Sequence, residues 1–168
     1  NSASASAYEE LQAEWPHIPV INVVEPVVKE VARLQAKKVG LIATRATVKS
    51  GLYQKHLQSL APDTKLIQSA TPLLAPLVEE GFVGTDVSQG ALQHYLRPLQ
   101  REQLSHLILG CTHYPLLQTE ISSFFQQKVE VLNSADLVAQ SLMELLLEKE
   151  LLTGSTTPGN LQFFVSEK

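Results

Sequence analysis

The stretch Leu107-Ile108-Leu109-Gly110-Cys111-Thr112-His113-Tyr114-Pro115-Leu116-Leu117 decides how this chain is read. Three consecutive apolar residues suit a strand buried on both faces, as in a parallel sheet. Gly110 then allows the backbone to turn at little steric cost. Pro115 stands where the first turn of a helix begins. A strand that runs into reactive side chains at a helix N-terminus is where open α/β sheets hold ligands. Cys111, the one cysteine of the chain, lies there.

Upstream, the same alternation repeats. A helix capped by Asn1 or Ser2 is expected through Tyr8, Leu11 and Trp15, stopped by Pro16 and Pro19. Ile18 to Val24 is short and β-branched, hence a strand. Glu25-Pro26 opens a helix whose apolar face carries Val27, Val28, Val31 and Leu34. Val39 to Ala43 is the next strand, followed by a helix from Val48 to Leu60 with Thr47 as its cap; Lys49 and Ser50 fall in its first turn. Lys65 to Ser69 is a strand, Thr71-Pro72 starts a helix that Gly81 ends, and Thr85 or Asp86 caps a helix ended or kinked by Pro98.

Downstream, a helix is expected from Pro115 to Gln126, a strand over Val129 to Leu132, and a long helix capped within Asn133-Ser134-Ala135-Asp136. Leu161 to Val165 closes the chain as a strand. Alternation of this kind argues for a parallel sheet covered by helices on both faces, joined by right-handed crossovers.

The bulk properties narrow the function. The 168 residues are 44% hydrophobic and 18% charged, enough for a sizeable core. A net charge of -4 provides no basic footprint for nucleic acid. No apolar run approaches the roughly 20 residues of a membrane span, and no signal peptide is visible, so a cytoplasmic, reducing setting is the expectation. GxGxxG, P-loop, HExxH, CxxC and GxSxG signatures are absent, so a nucleotide has no phosphate loop to rest on.

Cys111 is either a buried structural thiol or a functional one. Its place before a helix N-terminus favours the thiolate, and His113 follows two positions on. Such a thiol could be a nucleophile, a metal ligand or an acid/base. Metal binding is poorly served, because Cys111 and His113 supply two ligands at most. Nucleophilic use wants a histidine and an orienting carboxylate, and acid/base use wants a substrate with a proton to give up. Glu25 ends an apolar stretch and opens a helix; it either meets a ligand, orients a histidine, or simply complements the helix dipole. His17, His56, His94 and His106 have no reactive context.

Gly110 to Leu117 resembles the second catalytic motif of bacterial glutamate racemases, in the aspartate/glutamate racemase superfamily. Pro19 to Pro26 resembles that family's PVIGVIEP stretch. Val39 to Thr44, with Thr47-Val48-Lys49-Ser50 and Tyr53, resembles its VGVIAT…TVKS..Y stretch. Asn1-Ser2-Ala3 looks like the residues just after the family's first catalytic cysteine. The resemblance implies two parallel-sheet αβα domains, the first incomplete in this chain, with residues 1–24 and 135–168 belonging to the first and 25–134 forming the second.

It also implies cofactor-independent interconversion of L- and D-glutamate, feeding peptidoglycan and so cell shape, by two cysteines on opposite faces of the α-carbon. Carried over, Cys111 is one base. His113 assists it and, with Thr112, contacts substrate. Glu25 matches the acid that pairs with the histidine. Asn1 and Ser2 bind the amino-acid backbone groups, with Ser2 standing where threonine is commoner. The other cysteine would fall just before Asn1, so the chain is expected to be the C-terminal part of a longer racemase and inactive alone. No cofactor, metal, nucleic acid or membrane partner is implied. Apolar faces left exposed would favour aggregation or association, a homodimer among the outcomes. An aspartate or hydantoin racemase, a non-catalytic amino-acid-binding α/β domain, and a cysteine hydrolase are the alternatives.

Overall fold

The computed structural model describes residues 1–157 and 159–164. Helix α1 (Ser2–Glu14) leads through an irregular segment to α2 (Glu25–Arg33). The alternation then begins: β1 (Lys38–Ala43), α3 (Arg45–Ser50), α4 (Leu52–Leu60), β2 (Lys65–Ala70), α5 (Leu74–Glu79), α6 (Asp86–Gln100) and β3 (His106–Gly110). A short 3₁₀ turn (Tyr114–Leu117) precedes α7 (Gln118–Phe124), β4 (Glu130–Asn133) and α8 (Ser134–Glu148). The four strands form one parallel sheet in the order β2-β1-β3-β4.

Strand alternation sends side chains into two separate cores. Val39, Leu41, Ala43, Ile108 and Leu132 pack with Val24, Val27, Val28 and Val31 around α2 and with Tyr53 and Leu57 of α4. On the opposite face Ile42, Leu107 and Leu109 pack against Leu74, Leu92, Leu96, Leu99, Tyr114, Leu117 and Ile121, from α5, α6 and the segment that follows β3. Both faces of the sheet are therefore covered, as parallel strands require.

Several local expectations need correction. Ile18 to Val24 forms no strand. A strand needs a neighbour, and the sheet's edges are β2 and β4. Instead Asn22 Oδ1 accepts from the backbone N–H groups of Val24 and Glu25 at 2.9 and 2.7 Å, which starts α2, and Val23 N–H donates to Ser4 Oγ. Leu161 to Phe164 is likewise irregular and exposed, and Val165 lies outside the described residues.

Thr44, not Thr47, caps α3 by accepting from Thr47 N–H, and Gly51 at φ +66° separates α3 from α4. The helix expected from Thr71-Pro72 starts later, because Thr71 N–H still donates to Ala43 O at 2.9 Å and prolongs the sheet. Gly110 does not turn the chain. It is the last residue of β3, paired with Ala43, and a Cβ there would come within 2.7 Å of Leu41 Cδ1.

Candidate active site

Strand order places the site. From β1 the chain moves to β2 on one side and returns to β3 on the other, so the connections diverge outside the carboxyl ends of β1 and β3. Thr44 and Cys111 follow the paired residues Ala43 and Gly110 and therefore lie side by side at that edge.

Cys111 is 6% exposed. Its Sγ lies 3.6 Å from His113 Nδ1, and the other ring nitrogen, Nε2, lies 3.0 Å from Glu79 Oε1. Thiol, imidazole and carboxylate thus stand in a line. The turn is anchored from behind. Tyr114 N–H donates to Cys111 O at 3.2 Å. The fully buried Tyr114 hydroxyl donates to Thr71 O at 2.9 Å and lies 2.7 Å from Thr71 Oγ1. Burial pushes the Tyr114 phenol well above its ordinary pKa, so it stays a protonated donor.

The start of the chain closes on the same edge. Ser2 Oγ lies 3.1 Å from Thr44 Oγ1 and 3.2 Å from Thr47 Oγ1. Asn1 Oδ1 accepts from the Tyr53 hydroxyl at 2.5 Å. The backbone of Asn1 lies near Cys111. Thr112 is exposed on the turn between Cys111 and His113. Asn1, Ser2, Cys111, Thr112 and His113 are thereby brought to one edge of the sheet.

Glu25 is not brought to His113. Its Oε1 pairs with Lys29 Nζ at 2.9 Å and its Oε2 accepts from Asn22 Nδ2 at 3.5 Å. The reason is placement: α2 packs on one face of the sheet, whereas α5, with Glu79 at its end, packs on the other. Glu79 is the residue that reading the chain missed. A signal was present in Glu79-Glu80, two acids in the last turn of a helix, where the dipole disfavours negative charge. Among the described residues no group of three or more His, Cys, Asp or Glu is arranged to hold a metal ion. Nor is any described helix long and apolar enough to cross a membrane.

The sequence pattern of the family described as Asp/Glu/Hydantoin racemase matches residues 1–142. This chain belongs to that family. It is 36% identical to the glutamate racemase of Geobacter metallireducens over 168 residues, covering 99% of this chain and 62% of that protein. It is 43% identical to the glutamate racemase of Aquifex aeolicus over 145 residues, covering 86% and 55%. Among solved structures, glutamate racemase from Francisella tularensis in complex with D-glutamate superposes with a TM-score of 0.87 at 30% identity, covering 94% of this chain and 58% of that one. The chain therefore spans about six tenths of the length of these racemases. The parallel α/β sheet is the racemase fold.

Proposed function

We propose that this chain supplies one half of the acid/base machinery of a glutamate racemase, interconverting L- and D-glutamate without a cofactor. The observation that carries the reading is the line from Cys111 Sγ through the His113 ring to Glu79 Oε1, at 3.6 and 3.0 Å, at the divergence point of a racemase-family sheet. Glutamate as substrate is supported by relatives named glutamate racemase at 36% and 43% identity.

The chemistry follows from the donors present. With Nε2–H directed at Glu79, a neutral His113 has its acceptor, Nδ1, toward Cys111 and draws the thiol proton onto itself. The resulting imidazolium is favoured by the Glu79 carboxylate and faces a thiolate. The thiolate takes the α-proton from one face of the bound amino acid. The electron pair stays on the α-carbon and its carboxylate, and a proton delivered to the opposite face completes inversion.

Ser2, Thr44 and Thr47 supply hydroxyls at the same edge, and the N-terminus of α1 suits a carboxylate. Residues 25–134 constitute the domain carrying the Cys111 motif, with residues 1–24 and 135–168 belonging to a second. Delivery to the opposite face needs a second base. This chain has one thiol, so that base comes from outside the 168 residues, and the isolated chain does not racemise glutamate. The product would enter peptidoglycan in the cytoplasm.

Solvent deuterium incorporation at Cα of each glutamate enantiomer, with the full-length gene product and its Cys111→Ala variant, tests the reading. Exchange that Cys111→Ala abolishes in at least one direction is expected. Undiminished exchange in both directions would remove Cys111 from the mechanism, and turnover by the 168-residue chain alone would show that no outside base is needed.

A further inference from the structure

Asn1 occupies the N-cap position of α1, where an asparagine ordinarily turns its side-chain oxygen onto a backbone N–H of the first turn. Here it makes no capping bond. Its Oδ1 is taken instead by Tyr53, a residue of α4 whose side chain is 1% exposed. The amide is thereby polarised in one sense. A buried phenol keeps its proton, because burial raises its pKa well above the ordinary value, and here it donates that proton to the oxygen end of the amide. The nitrogen end, Nδ2, is left buried with no hydrogen-bond partner. An orphaned buried donor costs about 1–3 kcal/mol. Such a cost persists in a binding site when the missing acceptor belongs to a ligand.

The neighbouring polar groups do not fill that role. Ser2 Oγ is engaged with Thr44 and Thr47. The backbone of Asn1 lies near Cys111.

We propose that Tyr53 is a positioning residue: it fixes the oxygen of the Asn1 amide and so commits the amide N–H donors to a carboxylate oxygen of the bound amino acid. The inference rests on the racemase reading of this edge, and adds to it a residue that touches no substrate. With its oxygen held by the Tyr53 hydroxyl, the Asn1 amide has its N–H donors free for an acceptor such as a carboxylate oxygen.

The chain contains four asparagines, so selective ¹⁵N-asparagine labelling resolves the Asn1 side-chain amide. Two probes are titrated, D-glutamate and acetate, into the wild-type chain, Tyr53→Phe and Asn1→Asp, with thermal unfolding measured in parallel. Selective labelling of the histidines reports binding elsewhere at the site. The Asn1 amide signals of the wild type shift with the carboxylate, and Tyr53→Phe binds about tenfold more weakly, the loss of one buried hydrogen bond. Asn1→Asp still accepts from Tyr53 but turns the donor into a repelling oxygen, so it does not bind; this arm decides the matter if Tyr53→Phe fails to fold.

Equal binding by wild type and Tyr53→Phe, or by wild type and Asn1→Asp, overturns the proposal. Acetate moving the Asn1 amide while D-glutamate does not would leave Tyr53 its role and remove the racemase reading. D-glutamate moving His113 but not Asn1 would do the reverse, and no response to either probe sinks both.

Discussion

Glu79 Oε1 lies 3.0 Å from His113 Nε2, while Glu25, the acid that opens α2, is committed to Lys29. The carboxylate that meets the His113 ring therefore comes from the end of α5. Replacing Glu79 with glutamine keeps the shape and removes the negative charge beside the ring. On the proposed mechanism the ring beside Cys111 then becomes a weaker proton acceptor, and alkylation by iodoacetamide near neutral pH slows by up to about tenfold. Glu25→Gln leaves the alkylation rate unchanged. Equal rates in wild type and Glu79→Gln would show that the carboxylate does not act on the thiol.

Gly110 is dictated by contact with β1. A Cβ there would sit 2.7 Å from Leu41 Cδ1, 2.9 Å from Ala43 Cβ and 3.0 Å from the backbone oxygen of Ile42. Two of these neighbours are fixed by the sheet and cannot swing away. Gly110→Ala is expected to destabilise the chain by about 1–3 kcal/mol through overpacking, read as a lower urea midpoint. Because Cys111 follows directly, its alkylation rate changes as well.

The parts of the molecule that could be read from the chain are those where local chemistry and tertiary packing agree. β3 and the reactive turn after it, the Thr85 cap of α6 and the Asn133 cap of α8 all lie where the apolar runs and cap residues indicate. The exceptions are instructive. Ile18 to Val24 has the composition of a strand, but pairing is a property of two segments, and Asn22 diverts the local N–H groups into a turn. Thr44 outcompetes Thr47 as a cap because β1 runs straight into α3, which a residue-by-residue reading does not see. Glu79 is overlooked for a related reason: the pair Glu79-Glu80 marks an acid out of place at a helix end, but only the packing of α5 on the face that also holds Tyr114 brings it to the imidazole.

Helix-to-strand connections carry avoidable strain. Gln35 and Gln103, just before β1 and β3, adopt φ of +50° and +53°, a left-handed conformation that costs a residue bearing a Cβ about 1–2 kcal/mol. Glycine removes most of that cost but loses more backbone entropy on folding. Gln35→Gly and Gln103→Gly are each expected to stabilise the chain by about 0.5–1 kcal/mol, and because they lead into the paired strands β1 and β3 the double variant reads any coupling between them. Urea denaturation of the two single variants and the double variant checks this. Neither change touches Cys111, so the thiol chemistry stays as it is.

Tyr53 and Tyr114 make stability fall steeply in alkali. Burial raises both phenols well above the ordinary value of about 10, whereas in the unfolded chain they titrate near it. Below about pH 10 both states hold the protons, and the stabilisation is complete. Above it the unfolded chain releases protons that the folded chain keeps, so the unfolded state binds fewer protons and the unfolding free energy drops as pH rises. Each tyrosine contributes a slope approaching about 1.4 kcal/mol per pH unit. Urea titrations at a series of pH values from 8 upward should show a flat region and then a decline. Tyr114→Phe keeps the ring buried and removes one titrating group, so its decline is about half as steep, although its plateau sits lower by about 1 kcal/mol for the lost contact with Thr71. An identical slope in wild type and variant would mean that the Tyr114 phenol ionises as readily in the folded protein as in the unfolded chain, and that the turn behind Cys111 is open to water.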